Sequence, residues 1–205
     1  MIFRVSVDRA VREWVHGWAL TRGTPAPVEE PDGYRVDVGL PGHRVRYVLP
    51  DVSTVDERCA ALTAPGTWLK ICGSPAVPPQ WTVGGPEYLM GKDLFSPQRV
   101  SALPGYRVSR SSDGVVVRAA DGSLAAAGRF AVWGEASVVD QVVTEPAHRR
   151  KGLGSVVMSE LDALAVELGA VRAVLVATED GLALYRRLGW AVLSPVTAAH
   201  LPGRL

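Results

Sequence analysis

The sequence predicts a mixed α/β protein, an α+β arrangement in which a mostly antiparallel, twisted sheet is flanked by helices. Three observations lead there. Fifteen prolines and 21 glycines in 205 residues are more turn-formers than an all-helical chain carries. Residues 114–144 read as three consecutive valine- and alanine-rich strands, joined at Asp121-Gly122 and Gly134-Glu135. Directly after them, Leu153, Val157, Leu161, Leu164 and Leu168 recur on one helical face. With 47% apolar residues the chain can bury one sizeable core or two small ones.

Taken in order, Val11, Trp14, Val15, Trp18 and Ala19 mark a first helix over 8–23, which Gly23 stops. Two alternating runs, Tyr34–Val38 and Val45–Leu49, form a hairpin across Gly39–Gly42. Ser53 with Asp56, or Thr54 with Glu57, fits a capping box ahead of a short helix carrying Val55, Cys59 and Leu62. Trp68–Cys72 is a strand, so the first half reads αββαβ. The proline- and glycine-rich stretch 74–86 is a connection, and 87–104 has no clear pattern. The second half then runs through strands Gly114–Ala120, Leu124–Trp133 and Ala136–Thr144. The leucine-striped helix follows, with Ser155, Ser159 and Asp162 on its polar side and Gly169 at its end. A buried strand Val171–Ala177, a short helix Gly181–Leu188 and a last strand Trp190–Leu193 complete a βββαβαβ order. The expected division is 1–104 and 105–205.

Composition also removes several functions. A formal charge of +1 supplies no basic field for nucleic acid, and no run approaches the ~20 apolar residues of a membrane span. Charges at Arg4, Asp8 and Arg9 interrupt any secretory h-region, and Cys59 and Cys72 read as free thiols, so the expectation is a cytoplasmic protein. His16, His43 and His200 share no metal-ligand spacing, and no metal is expected. The partner expected is a small molecule or peptide, and a homodimer is left open.

The segment VVTEPAHRRKGLGS, residues 142–155, carries the chemistry. A strand ends at Pro146, three cations follow, and Gly152 and Gly154 stand where the leucine-striped helix begins. First-turn N–H groups of a helix have no intrahelical acceptor, and glycine lets a ligand approach backbone, so this arrangement suits a phosphate. Lys151 precedes Gly152, which excludes a P-loop, and no glycine stands at Val157 to complete a dinucleotide fingerprint. A merely basic loop before a glycine-started helix is the remaining alternative.

Arg149-Arg150-Lys151-Gly152-Leu153-Gly154 resembles the signature of the GCN5-related N-acetyltransferases: Arg or Gln, two residues, Gly, one residue, Gly or Ala. Leu184-Tyr185-Arg186-Arg187-Leu188-Gly189-Trp190 is similar to the L-Y-x-x-L-G-F segment of the same family, and together the resemblance covers about residues 105–195. It implies acetyl transfer from acetyl-CoA to a primary amine of a small molecule or peptide. It also implies that Val142, Val143 and Thr144 hold the pantetheine arm, and that Arg149, Arg150, Lys151, Gly152, Leu153, Gly154 and Ser155 form the pyrophosphate loop. Thr178 stands where many members carry an asparagine that contacts the cofactor, and Tyr185 is implied as the acid that protonates the thiolate.

For a base, Asp140 and Glu135 are candidates on the strand leading to the motif; Asp140 is the stronger because it interrupts an apolar strand. Both are also ordinary hairpin or edge carboxylates. The two helices that usually cover the acceptor side are missing before Gly114, so residues 1–104 are expected to build it. Trp14 and Trp18 read as core, and Trp81 and Tyr88 as an alternative acceptor lining. A non-catalytic module that binds acyl-CoA on the same fold is the rival reading, and release of free CoA with an amine separates the two.

Overall fold

The computed structural model of the protein describes residues 5–95, 100–101 and 104–203. Its first element is helix α1 (Val7–Arg22). The Ser6 side chain accepts a hydrogen bond from the Arg9 N–H at the start, and Gly23, left-handed at φ 64°, closes the end. Strands β1 (Val28–Glu30), β2 (Gly33–Leu40) and β3 (His43–Leu49) follow, then α2 (Val55–Ala61) and β4 (Thr67–Cys72). The capping box expected for α2 does not form. Thr54 donates instead to Asp32 Oδ2 at 2.8 Å and Ser53 to Asp51, each carboxylate offering a stronger acceptor than a neutral partner.

Next come β5 (Thr82–Val83) and β6 (Glu87–Asp93), the latter inside the stretch that showed no clear pattern. Its core supplies Leu89 and Met90, but Gly91, Lys92 and Asp93 break any alternation. Strands β7 (Tyr106–Ser111), β8 (Gly114–Ala119), β9 (Leu124–Trp133) and β10 (Ala136–Thr144) form a meander. A short 3₁₀ turn, Pro146–His148, leads to α3 (Leu153–Glu167), and β11 (Arg172–Thr178), α4 (Glu179–Arg187) and β12 (Ala191–His200) finish the chain.

These strands form one sheet in the order β1-β2-β3-β4-β12-β6-β11-β10-β9-β8-β7, with β5 against β12. Only β3/β4 and β10/β11 are parallel pairs within it. The sheet does not divide at residue 104. Strand β6 lies between β11 and β12, both from the second half, and β12 in turn pairs with β4 from the first. The expected boundary therefore cuts through a set of interleaved strands.

One face of the sheet is covered by α1, whose Ala10, Val11, Trp14, Val15 and Trp18 pack on Val36, Leu89, Val138 and Val174. Each such buried side chain contributes on the order of 1.5–3 kcal/mol. Helices α3 and α4 cover the other face over Phe130, Val139, Leu175 and Ala177, and α2 covers it over Leu49, Leu69 and Ile71. The expected polar side of α3 is not solvent-facing. Ser159 and Asp162 are buried, the first accepting from the Val100 N–H at 3.0 Å and the second ion-paired with Lys92 of β6. Pairing offsets their burial, though Asp162 Oδ1 is left buried without a partner, and periodicity cannot register such pairing.

Candidate functional site

Strands β10 and β11 pair only over Ala136–Val138 and Arg172–Val174, and beyond those residues they share no register. The backbone edges of residues 139–144 and 175–178 thus face an opening in the middle of the sheet. A bulge sits at the same place. Asp140 pairs with Arg129 and Val143 with Ala127, three steps on β10 against two on β9, and the extra residue, Gln141, takes φ 54°. The bulge reverses the alternation. Val138 and Asp140 point to the α1 face, whereas Val142, which without it would share that face, packs on the α3 side.

At the end of β10 the chain makes a tight approach to α3. Arg150 (φ 63°) and Gly152 (φ 73°) are both left-handed, and nothing lies within 4 Å of where a Gly152 side chain would begin. No side chain caps α3. The first recorded helical bonds run from Ser155 and Val156 N–H to Gly152 O, at 3.0 and 3.2 Å, so the N–H groups of Leu153 and Gly154 have no intrahelical acceptor. Arg149, Arg150 and Lys151 are exposed beside them. Arg149 Nε donates to Thr144 O at 3.2 Å, and Lys151 Nζ to Tyr106 Oη at 3.1 Å, whose hydroxyl also meets His148 Nδ1 at 3.0 Å. The loop is therefore held by β7, and His148 is part of that brace.

Gly154 has a different role from Gly152. A Cβ there would stand 2.9 Å from Leu184 Cδ2, so this glycine lets α3 and α4 meet rather than clearing space for a ligand. Sequence reasoning treated the two as equivalent, and only the packing separates them.

Tyr185 lies on α4 with 9% of its surface exposed, its ring edge-on to Trp190 at 5.9 Å and laid back over Gly181 toward the end of β11. Burial pushes its hydroxyl up to about 12, and the negative charge of Asp140 adds to the shift. It is a protonated phenol close enough to the opening to feel Asp140. Thr178 stands at the N-cap position of α4 without a capping hydrogen bond from its side chain, and it pairs with Glu87 in the β11/β6 register.

Behind the opening, on the α1 face, is a cavity of about 570 Å³. Its walls come from α1, β2, β3 and β4 as well as β6, β10 and β11, and include Trp14, Trp18, Trp68, Arg46, Asp140 and Thr178. The expected aromatic lining differs: Trp81 is buried against β4 and α2, and Tyr88 packs on the α3 side. Trp14 and Trp18, read as core, both belong to the core and line the cavity, because an indole is large enough to do both.

The carboxylates fall into two groups. Asp140 accepts from Arg22 through both oxygens, with Nη2 3.1 Å from Oδ1, and from Thr21 Oγ1 at 3.2 Å, so α1 is clamped to β10. Glu135 is not brought to the site. It stands at the far end of β10, with its side chain 67% exposed and ion-paired to Arg172 at 3.3 Å; five residues at ~3.3 Å each separate it from Asp140. Glu87 was missed by sequence reasoning because β6 itself was. It lines the cavity and is ion-paired to Lys70 through Oε2 alone.

The fold and loop together define an α/β protein with an uncapped, glycine-started helix beside a split in its sheet and a cavity behind that split. A family model described as the acetyltransferase (GNAT) family matches residues 85–190, and the chain belongs to that family. The match begins upstream of the resemblance seen in sequence, since it includes β6. Solved structures share the whole architecture. A GCN5-related N-acetyltransferase from Kribbella flavida is 19% identical with a TM-score of 0.62, over 99% of this chain and 98% of that one. A GNAT-family protein from Novosphingobium aromaticivorans, described as a putative acetyltransferase, is 19% identical with a TM-score of 0.63, over 98% and 100%. A GCN5-related N-acetyltransferase from Sphaerobacter thermophilus is 9% identical with a TM-score of 0.60, over 96% and 93%. No curated protein matches the sequence. Family membership implies acyl transfer from acetyl-CoA. Among the described residues, no helix is long and apolar enough to cross a membrane.

Proposed function

We propose that the protein transfers an acetyl group from acetyl-CoA to a primary amine of a small molecule, by direct attack within the split between β10 and β11. The observation that supports this most is the arrangement around that split: an uncapped helix start with exposed cations at one end, and a partly open cavity of about 570 Å³ on the far face. A cavity of that size suits a small acceptor. The free N–H groups of Leu153 and Gly154, with Arg149, Arg150, Lys151 and Ser155, would hold the pyrophosphate. The unpaired edge formed by Val142, Val143 and Thr144 would hold the pantetheine arm, and one of its N–H groups would stabilise the oxyanion. The thioester supplies the acyl group.

Tyr185 Oη would donate its proton to the departing thiolate; its raised affinity for the proton keeps the phenol protonated at neutral pH, while making it a weaker acid than a free tyrosine. For deprotonating the amine, Glu87 is better placed than Asp140. Both oxygens of Asp140 are engaged by α1, while Oε1 of Glu87 takes no hydrogen bond from the described residues. The reading is tested by titration calorimetry with acetyl-CoA and CoA, and by thiol release against a panel of amines. Binding of both ligands with similar affinity and thiol release with at least one amine are expected. A folded sample that binds neither ligand excludes the reading. Glu87→Gln should lower turnover without weakening acetyl-CoA binding, whereas unchanged turnover removes Glu87 as the base.

A further inference from the structure

The cavity holds three cations, Arg22, Arg46 and Lys70, against two carboxylates, Asp140 and Glu87. Arg22 is taken by Asp140 and Lys70 by Glu87. Arg46 is left over. It stands on β3 with 8% of its surface exposed, and its guanidinium forms no ion pair with, and donates no hydrogen bond to, any described residue; its Nε is fully buried without a partner. Its guanidinium lies over an aromatic face, 4.1 Å from the Trp18 ring centroid, and feels the Glu87 and Asp140 carboxylates only at longer range, each of them already paired with another cation.

A buried guanidinium without a counter-ion is costly, because five N–H donors and a full charge have left water. Burial lowers its hold on the proton only to about 10, so it stays charged at neutral pH. The neighbouring His43 does not compensate. Burial and the charges of Arg46, Lys70 and Arg22 push its imidazole down to about 4, so it is neutral, and its Nε2 is buried without a partner too.

We propose that Arg46 receives an anionic group of the acceptor, so that the amine acetylated here is a small molecule carrying a carboxylate on an apolar or aromatic body. This rests on the acyl-transfer reading for the word acceptor, but the anion site itself does not. A carboxylate fits better than a phosphate. The surplus is a single charge, which a carboxylate of −1 neutralises and a phosphate of about −2 would overshoot, and the planar fork of arginine matches a carboxylate's two oxygens. The body of the ligand would lie along an aromatic wall in which Trp18, His43 and Trp68 follow one another at 6.4 and 4.9 Å between ring centroids.

The test uses the full chain and two probes that lack an amine, 3-phenylpropanoate and 3-phenylpropan-1-ol, with binding read by tryptophan fluorescence. The acid should bind at least about tenfold more tightly than the alcohol. Arg46→Met should abolish that preference, and Arg46→Lys, which keeps the charge without the fork, should retain part of it. Equal binding of the two probes, no binding of the acid at millimolar concentration, or an acid preference that survives Arg46→Met overturns the proposal. Should Arg46→Met fail to fold, the wild-type ratio and the Arg46→Lys variant decide. Acetyl-CoA titrated into the same samples keeps the two readings apart, since its failure to bind would sink acyl transfer while leaving the anion preference to stand or fall alone.

Discussion

Tyr185 and His43 show how burial sets what a side chain can do. Tyr185 sits in the core beside Trp190, so removing only its hydroxyl leaves the packing intact. Tyr185→Phe should therefore fold and bind acetyl-CoA as the wild type does, while turnover falls by about tenfold to a hundredfold, at or below the lower end of a general acid's ~10²–10⁴-fold contribution. The loss should appear in kcat and kcat/KM together; a wild-type rate in a chemistry-limited assay would make the tyrosine a core residue alone. For His43, the folded chain binds its proton only near pH 4, against 6.5 for the free side chain. The unfolded state thus binds more protons between those values, so this histidine's contribution is whole above about pH 6.5 and is lost as pH falls toward 4. The melting temperature of the wild type should therefore fall relative to that of His43→Gln as pH drops through that window, and a pH-independent difference between them would argue against it.

At the scale of elements, the junction of α3 and α4 is set by Gly154. Because the missing side chain faces the end of the Leu184 side chain and not open space, Gly154→Ala should cost up to about 1 kcal/mol, overpacking being offset in part by the movement of Leu184 and by alanine's helix preference. Adding Leu184→Ala should recover part of that loss, the mark of two residues in contact. Gly152→Ala should behave differently. Its left-handed backbone costs an L-residue about 1–2 kcal/mol wherever the space is open, and no Leu184 substitution should relieve it. Double-mutant melting curves distinguish the two cases, and rescue of Gly152→Ala by Leu184→Ala would mean that the glycines had been assigned wrongly.

For the whole molecule, the interleaving of strands decides which pieces can stand alone. A fragment of residues 105–205 loses β6, and with it the strand that joins β11 to β12, as well as the α1 cover over Val138 and Val174. It should show no cooperative thermal transition by circular dichroism. Residue Glu13 of α1 adds to the same dependence, being ion-paired with Arg172 of β11 at 2.7 Å in a buried setting. A cooperative melt in the fragment would show that the second half folds without the first. The cavity shares this dependence: Trp14, Arg46 and Lys70 come from the first half, Asp140 and Val176 from the second.

Local signals in the sequence determined a good deal. The periodicity of α1, the alternation of β2 and β3, the valine-rich meander and the leucine stripe of α3 each lie within a short stretch of chain, and the structure has a helix or strand at each of them. Those signals depend on backbone preference and one-sided burial, which neighbouring residues encode by themselves. Tertiary structure alone decided the rest. Strand β6 has a broken pattern because Asp162 of α3 and Lys70 of β4, far along the chain, supply the partners that let Lys92 and Glu87 stand in it. The bulge at Gln141 changes which face Val142 reaches, and Asp140 became a clamp because Arg22 happens to end α1 opposite it. Arg46 carried no signal in sequence, since an arginine in an alternating strand reads as solvent-facing. Only the packing of α1 across the sheet encloses it, because burial on both sides of a strand is a property of what the fold brings there and not of the strand itself.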